Sequence, residues 1–148
     1  MTTSRFEPAE ARLIPIVAAV ILNSAGETLL VRKRGTAAFM QPGGKLAEGE
    51  SDVAALEREI VEELGCTLDR ASCRPLGRFS AAAANEPGWT VCAELYSGTL
   101  SGEIRPAAEI EEAIWIDPDC EAEVEIAPLT RAHALPLARA LKAQAARR

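Results

Sequence analysis

The sequence has one histidine, no C-x-x-C pair, no lysine/arginine block beyond "VRKRG" and no apolar run of membrane-spanning length. Each shortage removes a class of function. A bilayer-crossing helix needs roughly 18 or more consecutive apolar residues, and the longest candidate, "LIPIVAAVILN" from Leu13 to Asn23, falls well short and reads as a buried strand. The start, "MTTSRFEPAEAR", lacks the basic-then-apolar layout of a secretory signal and carries acidic residues that transit peptides avoid, so the expected location is cytoplasmic. Cys66, Cys73, Cys92 and Cys120 are too widely spaced for a disulfide framework or a zinc site and fit reduced thiols. His133 lies in an Ala/Leu-rich segment and reads as a helix-surface or packing residue. The formal net charge of -6, without a broad positive footprint, argues against long nucleic acid as a partner. It leaves room for a small phosphate ligand met by a few local cations and a metal.

What is present describes a soluble globular chain. With 148 residues, 48% apolar and 26% charged, the expectation is one domain over residues 13–146, preceded by a tail over residues 1–12. No internal repeat or linker divides it, and Arg147 and Arg148 are expected to fray. Leu13–Leu22 and Thr28–Lys33 flank "NSAGE" and read as strand, turn, strand. Val53, Leu56, Ile60 and Leu64 form one apolar stripe of a helix from Ser51 to Leu64, with Gly65 where a C-terminal cap belongs. "RPLGRFSAA" and "WTVCAELYSGTL" are strand-like around the turn-prone "ANEPG", and "AIWID" is a further short strand. The closing "APLTRAHALPLARALKAQAARR" is helix-forming, except that Pro136 should split or kink it. Strands on both sides of a central helix, with a final helix, predict an α/β fold with a mixed β-sheet sandwiched between α-helices.

That central helix carries an electrostatic problem. At about 100° per residue, Glu59, Glu62 and Glu63 fall within roughly a 100° arc beside the apolar stripe. Like charges so placed repel, and the remedies are protonation or a bound cation. Oxygen ligands with no His or Cys beside them select a hard ion, Mg²⁺ or Mn²⁺, with Ca²⁺ a non-productive substitute. Taken alone, "EREIVEEL" reads as a solvated helix face.

Its surroundings change that reading. Gly44, Glu50, Arg58-Glu59-Ile60, Glu62-Glu63 and Gly65-Cys66 stand at the spacing G-x5-E-x7-R-E-U-x-E-E-x-G-U, where U is bulky and aliphatic. This resembles the signature of the Nudix hydrolase superfamily. Seven fixed residues at typical frequencies of ~0.06 each match by chance on the order of 10⁻⁹ per start position. Cys66 departs from the usual Ile, Leu or Val at the last position, a change of packing that leaves the ligands alone. The resemblance covers most of the chain, with a strand pair and "PGGK" before the box and an acidic stretch ahead of a Trp-containing strand after it.

The resemblance implies a Nudix fold and residue roles. Glu59, Glu62 and Glu63 match the glutamates that bind divalent metal, and the carbonyl of Gly43 matches a backbone metal ligand. Glu50 and Arg58 match positions that orient the loop and the glutamates through ion pairing. Gly44 and Gly65 match turn positions. Outside the box, the family often supplies another carboxylate shortly before a Trp strand; "AEIEEAIW" offers Glu109, the first choice, then Glu112 and Glu111. Arg34 and Lys45 are the expected phosphate contacts, whereas Arg32 and Lys33 read as alternating exposed strand residues. Trp89 and Phe39 are the aromatics available to stack on a base.

The activity so implied is Mg²⁺-dependent hydrolysis of a nucleoside diphosphate linked to another moiety X, of nucleoside triphosphate or nucleotide-sugar type. Glu59 or Glu109 would be the general base. The alternative is a nucleotide-binding sensor of the same fold without turnover, but such modules usually lose box glutamates and none is missing here. The family's habits leave a homodimer open.

Overall fold

The computed structural model describes residues 12–147. The chain runs β1 (Leu13–Ile21), β2 (Thr28–Lys33), β3 (Phe39–Met40), β4 (Gly43–Gly44), helix α1 (Asp52–Leu64), β5 (Thr67–Leu68) and a 3-10 turn (Arg70–Ser72). It continues through β6 (Arg74–Ala82), β7 (Thr90–Gly98), β8 (Leu100–Ser101) and β9 (Ile110–Ile116) to a π-helical stretch (Thr130–Ala134) and helix α2 (Leu135–Ala146). The expected N-terminal tail, apart from Arg12, and the terminal Arg148 lie outside the described residues.

Alternation along β1 sets the layers. Val17, Ala19 and Ile21 turn to one side and pack with Ala55, Leu56, Ile60 and Leu64 of α1. Ala18 and Val20 turn to the other and meet Ala93, Leu95, Ala134 and Ala138. A strand buried on both faces has no place for polar side chains, which is why this stretch reads as one apolar run. The α/β arrangement with sheet between helices is therefore the observed one. Among the described residues, no helix is long and apolar enough to cross a membrane.

The strand partners differ from what local sequence suggests. β1 and β2 are joined through the "NSAGE" turn, where Asn23 Oδ1 accepts from the N–H groups of Ala25 (3.0 Å) and Glu27 (2.9 Å). Yet they touch as strands only through the Leu22–Thr28 bridge and belong to different sheets. β1 is flanked by β4 antiparallel and β7 parallel, in a mixed sheet of order β4-β1-β7-β6; β2 lies between β3 and β9. β9 begins at Ile110, ahead of "AIWID", so Glu111 and Glu112 are strand residues. Glu112 stands opposite Arg32 and pairs with it at 3.1 Å.

Helix α1 stops at Gly65 as its sequence predicts and starts at Asp52, with Ser51 serving as its cap. The Ser51 hydroxyl accepts from the Ala54 N–H at 3.2 Å, and Gly65, at φ 67°, donates its N–H to the Val61 carbonyl at 3.0 Å. Pro136 acts one turn earlier than its own position. It has no N–H to give and its ring crowds the preceding turn, so that turn widens and Leu135 donates to the Thr130 carbonyl across five residues. Thr130 becomes fully buried there.

Candidate active site

Because α1 buries Leu56, Ile60 and Leu64, the residues one step round the helix lie at the rim where it meets the sheet. Glu63 is tucked in at 4% exposure, Glu59 is half-buried and Glu62 faces solvent. Across from them runs β4, two glycines paired with Val17 and Ala18 of β1. A Cβ on Gly44 would fall 2.5 Å from the Glu59 carboxylate carbon, so a bare backbone is what lets that carboxylate lie flat against the strand. Gly44 is thus a position of close approach rather than of a turn.

A cavity of about 470 Å³ opens at this rim. Glu59, Glu62, Glu63 and Glu109 line it together with Lys33, Lys45, Gly43, Gly44, Gln41, Asn85 and Glu86, and Ile14, Ile16, Val31, Met40 and Val91 form its apolar wall.

Arg58 organises the approach. Its guanidinium donates to Glu50 through Nε (2.7 Å) and Nη2 (2.9 Å), to Glu59 (3.1 Å) and Glu62 (3.3 Å) through Nη1, and to the Lys45 carbonyl (3.1 Å). Glu50 Oε1 also accepts from the Ala47 N–H at 2.7 Å, which ties the loop between β4 and α1 to the helix. The Arg58 pairing, with the Ala47 N–H, holds the Glu50 carboxyl at about 2. One cation therefore restrains three carboxylates.

Glu63 is treated differently. Burial pushes its carboxyl up to about 8, the Glu59 and Glu109 charges add to that, and the Gly43 N–H, donating to Oε1 at 3.2 Å, and the Lys33 charge oppose it. Burial likewise raises Glu59, with Arg58 opposing.

These opposite shifts give a pH dependence with a definite sign. Glu63, raised, contributes stability that is complete below about 4.5 and lost as pH rises through about 8. Glu50, lowered, contributes stability present above 4.5 and lost only as pH falls through about 2. Between those limits the Glu63 effect stands alone of the two, so the metal-free protein is expected to melt at a higher temperature at pH 6 than at pH 8.5. Thermal melts in chelator check this, and the difference should shrink in Glu63→Gln; an undiminished difference would remove Glu63 as its source.

The structure gathers most of the residues singled out from sequence, but not all. Glu59, Glu62, Glu63, Glu109, Gly43, Gly44 and Lys45 line the cavity. Arg34 is not part of the lining: its Nε pairs with Glu111 at 3.0 Å and Nη1 donates to the Ala108 carbonyl at 3.2 Å. Glu111 and Glu112 are engaged by Arg34 and Arg32 respectively, which leaves Glu109 as the carboxylate of that stretch at the cavity. Lys33 replaces Arg34 as the cation there, paired with Glu109 at 3.1 Å. Period-two alternation from Val31, which also lines the cavity, is the signal that points to Lys33. Of the loop "AAAANEPGW", Ala84, Asn85 and Glu86 reach the cavity, but neither Trp89 nor Phe39 lines it. Phe39 is core, and Trp89 is exposed. His133 stacks on Phe79 with ring centres 4.9 Å apart.

Among the described residues, no three His, Cys, Asp or Glu side chains converge tightly enough to grip a metal ion as they stand. Arg58 draws Glu59 and Glu62 aside and Gly43 engages Glu63. The donor chemistry nonetheless fits a hard divalent cation. The carboxylates supply only oxygen, and the buried Glu63 carboxyl, held up to about 8, lacks enough nearby positive charge to ionise readily.

A family model described as the NUDIX domain matches residues 12–138. No curated protein matches the chain. Among solved structures, a NUDIX hydrolase from Nitrosomonas europaea is 31% identical, with 72% of this chain and 73% of that one covered and a TM-score of 0.59. A MutT NUDIX hydrolase from Burkholderia pseudomallei is 26% identical over 85% of this chain and 95% of that one, TM-score 0.66. A UDP-X diphosphatase shares the fold at 19% identity, TM-score 0.70, over 95% and 71% of the two chains. The match over nearly the whole described chain, on a fold that sets the box glutamates at a cavity rim, shows that this protein belongs to the Nudix family of pyrophosphohydrolases, which act on a nucleoside diphosphate linked to another moiety.

Proposed function

We propose that this chain hydrolyses a nucleoside triphosphate or nucleotide-sugar type of substrate with Mg²⁺ as the working cation and Mn²⁺ as a replacement. The observation that carries this is one cavity whose lining brings the helix carboxylates Glu59, Glu62 and Glu63 together with Glu109, Glu86 and two lysines, Lys33 and Lys45. Bound there by Glu59, Glu62, Glu63, Glu109 and the Gly43 carbonyl, a divalent cation would neutralise charge on diphosphate oxygens.

The chain's own residues do the rest. Lys33 and Lys45 meet phosphate oxygens, Arg58 and Glu50 hold the helix glutamates in register, and Gly44 and Gly65 keep the flanking backbone in place. Water attacks phosphorus in line, a phosphoric anhydride P–O bond breaks, and the proton lost by the water passes to Glu59 or Glu109. Burial of Glu59 favours a carboxylate that accepts a proton more readily than an exposed one.

A panel of nucleoside triphosphates, nucleotide sugars, dinucleoside polyphosphates and ADP-ribose, incubated with Mg²⁺ or Mn²⁺, tests this by the release of phosphate, pyrophosphate and monophosphate. Turnover of at least one member is expected. Tight nucleotide binding with no turnover under either ion would replace the enzyme reading with a sensor.

A further inference from the structure

Gln41, between β3 and β4, lines the cavity although it is only 6% exposed. Its Oε1 accepts the Thr130 hydroxyl at 2.7 Å, and its Nε2 has no hydrogen-bond partner. Buried amide groups are normally paired, so an orphan donor at a cavity wall calls for an acceptor that arrives from outside the chain. The other such side-chain atom among the described residues, Thr28 Oγ1, is not at the cavity.

The orientation of this amide is built into the fold. Thr130 opens the π-helical stretch ahead of Pro136, is fully buried, and spends its proton on Gln41 Oε1. That bond occupies the acceptor end of the amide and leaves two N–H groups on the other end. Besides its charged residues the cavity has an apolar wall, Ile14, Ile16, Val31, Met40 and Val91, and Met40 directly precedes Gln41 in the chain. A phosphate needs positive charge, which Lys33 and Lys45 supply in the lining and the neutral Gln41 amide does not. A neutral donor in a cavity with an apolar wall suits a flat heterocycle with a carbonyl on its edge.

We infer that Gln41 determines specificity by donating from Nε2 to the exocyclic carbonyl of a nucleobase, O6 of guanine or O4 of uracil and thymine. With Oε1 turned to Thr130, the end of the amide offered to the base carries only N–H donors, which cannot pair with the amino group that adenine and cytosine carry at the same place. The cavity therefore selects keto over amino bases. Thr130 is the positioning residue that fixes which end of the amide faces the base. This inference rests on the proposed reading of the substrate as a nucleotide.

The test compares kcat/KM for guanine, adenine, uracil and cytosine nucleotides, carried on whichever diphosphate donor the wild type accepts. Wild type, Gln41→Leu, Gln41→Glu and Thr130→Val are compared with Mg²⁺, with Tm followed in parallel. Wild type should favour guanine over adenine and uracil over cytosine by about tenfold or more. Gln41→Leu should bring both ratios close to one, Gln41→Glu should shift them toward the amino bases, and Thr130→Val should erode them by freeing the amide to turn. A merely structural role would lower all four rates together and leave the ratios alone, and that result overturns the inference. So does a wild type without keto preference. If Gln41→Leu does not fold, the ratios in the other two variants decide. A wild type that turns over no nucleotide fails at the earlier step and takes both readings with it, whereas turnover with unchanged ratios removes this one alone.

Discussion

Replacing Glu63 with glutamine is expected to lower kcat/KM by roughly 10³-fold while leaving the fold as stable as the wild type or more so above pH 7. The two effects run in opposite directions for one physical reason. Glu63 is a carboxyl buried at 4% exposure and held up to about 8, so ionising it in the metal-free protein is unfavourable. Glutamine keeps the shape and still accepts the Gly43 N–H that Oε1 now accepts at 3.2 Å, but it cannot carry the charge. If the carboxylate's purpose is to hold a cation, function falls while stability does not. Turnover close to wild type would remove Glu63 from the metal site, and a large loss of Tm at pH 8 would make it a structural residue.

The second large effect is expected at Gly43, this time on folding. Gly43 has φ 152° and pairs with Ala18 of β1. A Cβ there would overlap the Val17 carbonyl oxygen and lie 2.6 Å from Ala18 Cα, both backbone atoms with no rotamer to escape into. Gly43→Ala should therefore destabilise by about 4 kcal/mol, roughly 10 °C in Tm, as measured by urea and thermal unfolding. Gly35→Ala is the comparison: φ is 82° but nothing lies within 4 Å of the added Cβ, so only backbone strain of about 1 kcal/mol remains. Equal losses at the two positions would mean that the β1–β4 approach does not limit the strand.

How much could be read in advance follows from where the information is stored. Helix α1 was legible because its stripe and the Gly65 stop are both local. The three glutamates were legible as a cluster because helical spacing puts them on one edge. The pairing of Arg58 with that edge was expected only through the family resemblance, since it depends on Arg58 reaching Glu50, Glu59, Glu62 and the Lys45 carbonyl at once. Register was the larger blind spot. Alternation groups Lys33 with Val31, but which face of β2 meets the cavity depends on how β2 pairs with β9, including the register shift at Arg32/Lys33, and no local pattern encodes that pairing. For the same reason β1 and β2, adjacent in sequence, separate into two sheets. Gln41 was invisible in its local stretch: its partner Thr130 is 89 residues away, on a turn widened by Pro136.

The central claim is that Glu59, Glu62 and Glu63 together bind a divalent cation, and a Mn²⁺ titration at pH 7 with proton release recorded alongside tests it most directly. Wild type is expected to bind Mn²⁺ saturably and release protons as it does so, because the Glu63 carboxyl is held up to about 8 in the metal-free protein. Both signals should vanish in the triple variant Glu59→Gln, Glu62→Gln, Glu63→Gln. Equal Mn²⁺ binding by the two proteins would contradict the claim.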